Sequence, residues 1–168
     1  IGPPGGGVEG ALARIAHGEV WRLFTPALLH APVTLPDGET QLLGILHIFF
    51  NLLWMKDLGP LIERRHGSGY LLAMLLVVAA ASNLAQLFAT GPNFVGLSGV
   101  VYGLLGFLWL RGRMDPRYGL RLNPGIVQFM LLWLVLCMFM GGVANACHVA
   151  GLAAGCLWGA VSAKLVGS

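Results

Sequence analysis

From residue 41 onward the sequence consists of long apolar runs separated by short polar, glycine or proline breaks. Several of these runs approach the roughly 20 residues that a helix needs to cross a bilayer core about 30 Å thick. The pattern predicts an all-α polytopic bundle of membrane helices. Five helices are predicted, over residues 41–62, 70–90, 97–110, 125–140 and 145–165.

The first 40 residues have a different character. A glycine- and proline-rich start over residues 2–7 is followed by a semi-apolar segment that carries Trp21 and Arg22 and is too short to cross a membrane. Such a segment suits a loop lying partly in the outer interface, although Trp21 and Arg22 are equally compatible with an ordinary interfacial anchor. We therefore interpret residues 1–168 as one membrane domain, in which 1–40 form an N-terminal stretch and first loop and 41–165 form five transmembrane helices.

Composition excludes a soluble enzyme, because 57% of residues are hydrophobic, 10% are charged and the mean hydropathy is +0.77. The net charge of +3 does not indicate nucleic-acid binding, since the basic residues stand at the ends of apolar runs. The lipid bilayer is the expected environment. The three cysteines lie in apolar stretches without CxxC spacing, so we predict no metal and no cofactor. Oligomeric state is not predicted.

Basic residues are distributed unequally between the two ends of the predicted helices. The positive-inside rule makes the richer side cytoplasmic and turns the start of the 97–110 helix outward. It also places Ile1 outside, so we expect a further helix upstream of Ile1. The poorer side has Arg14 and Arg22, and the richer side has Arg64, Arg65, Arg111, Arg113, Arg117, Arg121 and Lys164.

The third predicted helix spans only about 21 Å, so it should begin below the outer membrane surface. Ser98 then lies inside the membrane next to an irregular segment. Irregular backbone is tolerated at such depth only where it is buried in protein or lines a water-filled cavity. Ser98 and Tyr102 share one helix face, and His148 lies on another helix. Small-residue stripes would let these helices dock and bring Ser98 near His148. The stripes are Gly99 and Gly103 on one helix and Gly151, Gly155 and Gly159 on the other.

The ordinary alternative for a membrane serine is a hydrogen bond to its own helix, with glycine stripes that serve packing alone. None of the seven acidic residues lies in an apolar segment close to the outer end of the last helix. A Ser/His dyad without an orienting acid is therefore the economical hypothesis. Cys147 projects about 100° away from His148 around the helix, which argues against a Cys/His dyad.

His47 and Asn51 are four residues apart on one face of the first helix. Polar side chains there are costly unless they point at partners, so both should face inward, either toward a functional site or into an interhelical hydrogen bond. A metal site is disfavoured, because HxxxN lacks the carboxylate of HExxH. A transporter or channel would require mid-membrane charges or paired repeats, and the sequence has neither.

Together these motifs resemble the rhomboid family of intramembrane serine proteases. The serine helix begins with a family-like GxSG, Gly96-Leu97-Ser98-Gly99, followed by Tyr102 and Gly106. The other matches are Trp21-Arg22 (WR), His47 and Asn51 (HxxxN), Glu63 and Arg65 (ExR), and His148, Gly151 and Gly155 (AHxxGxxxG). The chain departs from the pattern in Cys147, which replaces an alanine, and in an extra polar stretch from Thr34 to Gln41. The helix that usually comes first in the family is expected upstream of Ile1.

The resemblance implies a rhomboid-like bundle and a serine-type endopeptidase that cleaves transmembrane segments of other proteins near the outer face of a bacterial inner membrane. It makes Ser98 the nucleophile and His148 the general base. His47 and Asn51 become oxyanion-hole donors beside the Ser98 backbone N–H, with Gly96 as support. Tyr102 would pack on the His148 ring, although a plain core aromatic fits equally. The other hypothesis is a catalytically inactive rhomboid-like protein that binds transmembrane clients, against which the retention of Ser98 and His148 argues.

Overall fold

A computed structural model describes residues 6–30 and 40–167, and describes side chains over 6–30 and 45–165. Across these ranges the chain is helical and has no β-strand, which confirms the predicted all-α fold. Residues 34–39 of the extra polar stretch and Ile1 lie outside the described ranges. The α-helices are α1 (Val8–Ala16), α2 (Thr25–Leu28), α3 (Thr40–His66), α4 (Ser68–Thr90), α5 (Ser98–Met114), α6 (Pro124–Cys137) and α7 (Asn145–Gly167), with 3-10 turns at Val20–Leu23 and Pro116–Tyr118.

The five predicted long helices all form, with local differences at their ends. Helix α3 continues through Pro60 to His66 and stops at Gly67, whose φ of +86° lies in the left-handed region. Helix α5 runs to Met114 and ends where Asp115 becomes extended in front of a proline. Helix α6 begins at a proline and is capped by Asn123, whose side chain accepts a hydrogen bond from the Gly125 N–H.

Helix α5 lies at the centre of the bundle. Twelve of its residues are buried, among them Leu104, Leu105, Phe107 and Leu108, each with 0% exposure. Helices α3, α4 and α7 pack around it. Because protein and not lipid surrounds this helix, its length of only 17 residues, about 25 Å, is no obstacle to its place in a membrane domain.

The exposed surface is apolar and several polar side chains are buried, the reverse of a soluble protein. Helices Ile45–His66, Ser68–Thr90 and Asn145–Leu165 are each long and apolar enough to cross a membrane. Their outward side chains suit lipid, whereas the inward polar groups find partners in the protein. Exposed apolar side chains include Leu52, Leu72, Phe129, Leu157 and Val161, and buried polar ones include Asn51, Ser82, Asn83, Gln86 and His148.

Close packing between α5 and α7 depends on the two glycine stripes. A methyl group on Gly151 would overlap the Gly99 carbonyl oxygen, and one on Gly155 would overlap that of Gly103. The helix backbones therefore touch directly, as the small-residue spacing predicts. This contact fixes the last helix against the serine helix over several turns.

The basic end of the bundle is tied together by aromatic and charged side chains. The Arg111 guanidinium donates to the Asp115 carboxylate over 2.7 Å and lies 4.6 Å from the centre of the Tyr118 ring. Arg65 lies 5.3 Å from the same ring, and the Glu63 carboxylate accepts a hydrogen bond from the Ser68 hydroxyl. Glu63 and Arg65 thus join the end of α3 to the following helix and to the turn after α5.

Candidate active site

Ser98 is the first residue of α5, at the opposite end from the Arg111 and Asp115 pair. The loop before it, residues 91–97, turns at two glycines with positive φ, Gly91 at +87° and Gly96 at +133°. The Gly96 N–H donates to the Pro26 carbonyl oxygen over 2.8 Å, so α2 of the first loop holds this turn in place. The first N–H groups of a helix have no acceptor within it, which leaves the Ser98 backbone suited to bind an anionic oxygen.

His148, in the first turn of α7, meets Ser98 across the glycine interface. The distance from His148 Nε2 to Ser98 Oγ is 2.6 Å, within hydrogen-bond range. The imidazole is 4% exposed, so bulk water does not compete for this contact. The predicted proximity of Ser98 and His148 is therefore present in the folded chain.

Tyr102 packs beside the imidazole, one turn along α5 from Ser98. The ring centroids of Tyr102 and His148 are 5.0 Å apart, and the Tyr102 hydroxyl donates to the Met130 carbonyl oxygen of α6 over 2.9 Å. Among the described residues, no protein group lies within hydrogen-bond distance of the buried His148 Nδ1. Within this part of the chain the imidazole is thus positioned by ring packing, without a carboxylate.

His47 of α3 borders the same site from the other side. A Cβ atom at Gly96 would lie 3.1 Å from His47 Cε1 and 3.8 Å from Ser98 Oγ. Glycine is therefore required at residue 96 both for its φ and for the approach of the imidazole. This arrangement brings Gly96, His47 and Ser98 together as the motifs predict.

Asn51 lies one turn further along α3 and is 4% exposed. Its Nδ2 atom is 3.4 Å from Nε2 of His30 in the first loop. The His30 ring also meets the His47 ring edge-on, with centroids 5.6 Å apart. The inward orientation predicted for Asn51 is present, and its hydrogen-bond partner is a loop histidine that no sequence motif indicates.

His30 belongs to no periodic apolar run, so the sequence pattern does not single it out. Its only sequence signal is a polar side chain after the apolar pair Leu28 and Leu29, in a segment already expected to lie in the membrane interface. Such a side chain needs a partner. The identity of that partner, more than 20 residues away, depends on how the loop returns to α3.

Cys147 faces away from the candidate dyad. Its backbone N–H donates to Gln86 Oε1 over 2.9 Å, and its Sγ lies 3.8 Å from Asn83 Oδ1. The Asn83 amide in turn donates to the Leu23 carbonyl oxygen of the first loop. These α4 side chains thus form the contacts expected of buried polar groups, and they join α4 to α7 and to the first loop.

The described residues contain no group of three His, Cys, Asp or Glu side chains that could hold a metal ion. The expectation of a metal-free and cofactor-free site stays a prediction. The described groups at the site are a hydroxyl, imidazoles, an amide and helix N-terminal N–H groups, a set suited to acyl transfer.

Comparison with known proteins agrees with this architecture. Residues 17–165 match the Rhomboid domain family. Over 140 residues the chain is 44% identical to the rhomboid protease GlpG of Enterobacter sp. (strain 638), an alignment that covers 82% of this chain and 46% of that relative. The chain thus spans about half the length of the relative. The chain is an integral membrane protein that belongs to the rhomboid family.

Proposed function

We propose that this chain is the catalytic membrane domain of an intramembrane serine endopeptidase that uses a Ser98/His148 dyad. The observation that carries the proposal is the 2.6 Å contact between His148 Nε2 and Ser98 Oγ at the start of a buried helix. Family membership and the likeness to a protein named as a rhomboid protease support the same activity.

The reaction is peptide hydrolysis by acyl transfer. His148 Nε2 accepts the Ser98 hydroxyl proton while Oγ attacks the peptide carbonyl carbon, which forms a tetrahedral oxyanion. The imidazolium then donates its proton to the leaving amine as the C–N bond breaks, which leaves an acyl-enzyme. A water molecule, deprotonated by His148, attacks the ester, and the Ser98 hydroxyl is regenerated.

The oxyanion is stabilised by the Ser98 backbone N–H, the His47 imidazole and the Asn51 amide. His47 lies beside Gly96 and Ser98, and Asn51 is buried one helical turn away. Donors aimed at a developing oxyanion are each typically worth about 3–4 kcal/mol of transition-state stabilisation. Tyr102 keeps the imidazole facing Ser98 through the whole cycle.

The substrates are transmembrane segments of other proteins, cleaved near the outer face of a bacterial inner membrane. Ser98 lies at the end of the bundle opposite Arg111, Arg113 and Arg117, and the positive-inside rule assigns that basic end to the cytoplasm. A substrate helix must unwind locally to present its amide, so small or helix-breaking residues near its outer end favour cleavage.

The test is labelling with a fluorophosphonate, a serine-directed probe, in detergent micelles. We expect the wild-type chain to be labelled and Ser98→Ala and His148→Ala to lose the label. Matched controls are Ser68→Ala, which removes a serine at the basic end, and His17→Ala, which removes an exposed histidine; both should label like wild type. The same five proteins are then assayed for cleavage of a reconstituted transmembrane substrate.

Two outcomes would contradict the proposal. Label retained in Ser98→Ala would place the nucleophile elsewhere. A folded wild-type chain that neither labels nor cleaves, while it still binds a transmembrane peptide, would favour the client-binding alternative.

A further inference from the structure

His30 contacts both side chains that are candidates for the oxyanion hole, His47 and Asn51. Its Nε2 is 3.4 Å from the Asn51 amide nitrogen, and its ring meets the His47 ring edge-on at 5.6 Å. His30 ends the described part of the first loop, so both contacts connect that loop with α3. The proposed reaction gives His30 no chemical step.

We propose that His30 is a positioning residue, which orients the Asn51 amide as an oxyanion donor and so couples the first loop to the rate of catalysis. This inference rests on the proposed function. His30 needs no contact with the substrate for this role, because it acts through Asn51.

The polarity of the contact determines the orientation of the amide. An asparagine Nδ2 can only donate, so His30 Nε2 must accept, which requires a neutral imidazole protonated on Nδ1. Burial lowers the pKa of His30 below its ordinary value and favours this neutral form. The contact holds Nδ2 toward the loop, and the second hydrogen on that nitrogen then points about 120° away, free to meet an oxyanion.

Without His30 the amide could rotate by a half-turn and present its carbonyl oxygen in place of the N–H donor. A carbonyl oxygen repels an oxyanion, so a rotated Asn51 would oppose the transition state. The ground-state complex carries no oxyanion, and substrate binding would be little affected. The expected signature is a change in kcat with little change in KM.

The experiment compares His30→Phe, which keeps a ring but has no acceptor, with His30→Gln, whose Oε1 can accept from Asn51. We expect His30→Phe to lower kcat about tenfold with KM within about twofold, and His30→Gln to recover most of the loss. His17→Phe, the same change at an exposed histidine, should leave kcat unchanged. Equal thermal midpoints confirm that the variants are folded.

A double-mutant cycle tests whether His30 acts through Asn51. In an Asn51→Ala background, His30→Phe should change kcat less than about twofold, since the group to be oriented is already gone. Independent, fully multiplicative effects would overturn the proposal. So would a glutamine variant no better than phenylalanine.

A spectroscopic measurement tests the contact without relying on activity. The ¹⁵N side-chain amide signal of Asn51, assigned by its loss in Asn51→Ala, should shift in His30→Phe and stay near its wild-type position in His17→Phe. An unchanged Asn51 signal would refute the contact even in an active enzyme. A shifted signal in a chain that cleaves nothing would refute the proposed function alone.

Discussion

Two serines of the bundle show how position decides the chemistry of a single side chain. Ser82 lies inside α4, and its hydroxyl donates to the Val78 carbonyl oxygen of its own helix over 2.7 Å, the usual arrangement of a membrane serine. Ser98 begins α5, and its hydroxyl lies against His148. The same residue type is thus satisfied locally in one place and paired with a candidate base in the other.

Asn51 provides a test of the proposed oxyanion hole. We expect Asn51→Ala to lower kcat by roughly 10²–10³, the usual effect of removing one such donor, with a small change in KM. Initial rates on a reconstituted transmembrane substrate measure both constants. Asn123→Ala, which removes an exposed helix cap far from His148, should change thermal stability without a comparable loss of kcat. Equal kcat values for wild type and Asn51→Ala would exclude Asn51 from the oxyanion hole.

Among the helices, the contact between α5 and α7 is the one on which the site depends. It brings Ser98 and His148 together from positions 50 residues apart. A Cβ atom at Gly151 or Gly155 would overlap a backbone carbonyl oxygen of α5, and one at Gly99 or Gly103 would overlap neighbouring side chains. The glycines therefore have a positive structural role, although glycine is otherwise unfavourable inside a helix.

Gly155→Ala should destabilise the protein, because the added methyl group overlaps the Gly103 carbonyl oxygen. Overpacking of this kind typically costs about 1–3 kcal/mol. The matched control is Gly69→Ala in α4, where a Cβ meets no atom within 4 Å and better helix propensity contributes up to about 1 kcal/mol. Thermal unfolding in detergent should show a lower midpoint for Gly155→Ala alone. A midpoint at or above wild type for Gly155→Ala would contradict close packing here.

The end of α5 provides a test by pH. The hydrogen bond from Arg111 holds the pKa of Asp115 below its ordinary value of about 4, and the Arg117 N–H acts in the same direction against the effect of burial. A lowered pKa in the folded state means that this stabilisation is complete above pH 4 and is lost as the pH falls through the folded pKa. Thermal midpoints measured from pH 6 downward should therefore fall more steeply in wild type than in Asp115→Asn.

Arg117→Gln is the control for that experiment. The Arg117 side chain is 79% exposed, and at 3.8 Å it is further from the Asp115 carboxylate than the Arg111 guanidinium is. Its removal should therefore change the pH slope little. Identical slopes in wild type and Asp115→Asn would show that Asp115 is not the titrating group.

The bundle taken together has an apolar exterior and an apolar core in which several polar side chains are buried. Ser98 lies at one end, and the Arg111 and Asp115 pair lies at the other. Once the cytoplasmic end of the bundle is known, the separation of these two ends determines which face of the membrane Ser98 lies near. The positive-inside rule supplies that assignment as a prediction.

Cysteine accessibility tests the assignment. His17→Cys should react with a membrane-impermeant maleimide added to the outside of spheroplasts, and Arg113→Cys should react only after the membrane is opened. Both positions are exposed. Cys137 and Cys147 are buried but Cys156 is only partly buried, so labelling of the unsubstituted chain gives the background. The reverse labelling pattern would turn the site toward the cytoplasm.

The order of the long helices follows from the amino-acid sequence alone. The apolar runs and the glycine and proline breaks predicted the five helices, and the glycine spacings near Ser98 and His148 predicted which two helices dock. Both could be predicted because each signal acts over a few neighbouring residues. Helix ends were less accurate. Helix α5 extends to Met114, and its end carries the buried ion pair between Arg111 and Asp115, whose burial the apolar pattern alone did not indicate.

Three hydrogen bonds could not be predicted from the sequence. They join Asn51 to His30, the Gly96 N–H to the Pro26 carbonyl oxygen, and the Tyr102 hydroxyl to the Met130 carbonyl oxygen of α6. Each joins segments more than 20 residues apart through one hydrogen bond, and no periodicity or composition records such a pairing. Local hydrophobic pattern fixes which segments become membrane helices. Only the folded arrangement of those helices and of the first loop decides which polar groups meet, because a buried donor is satisfied by whatever acceptor the packing brings to it.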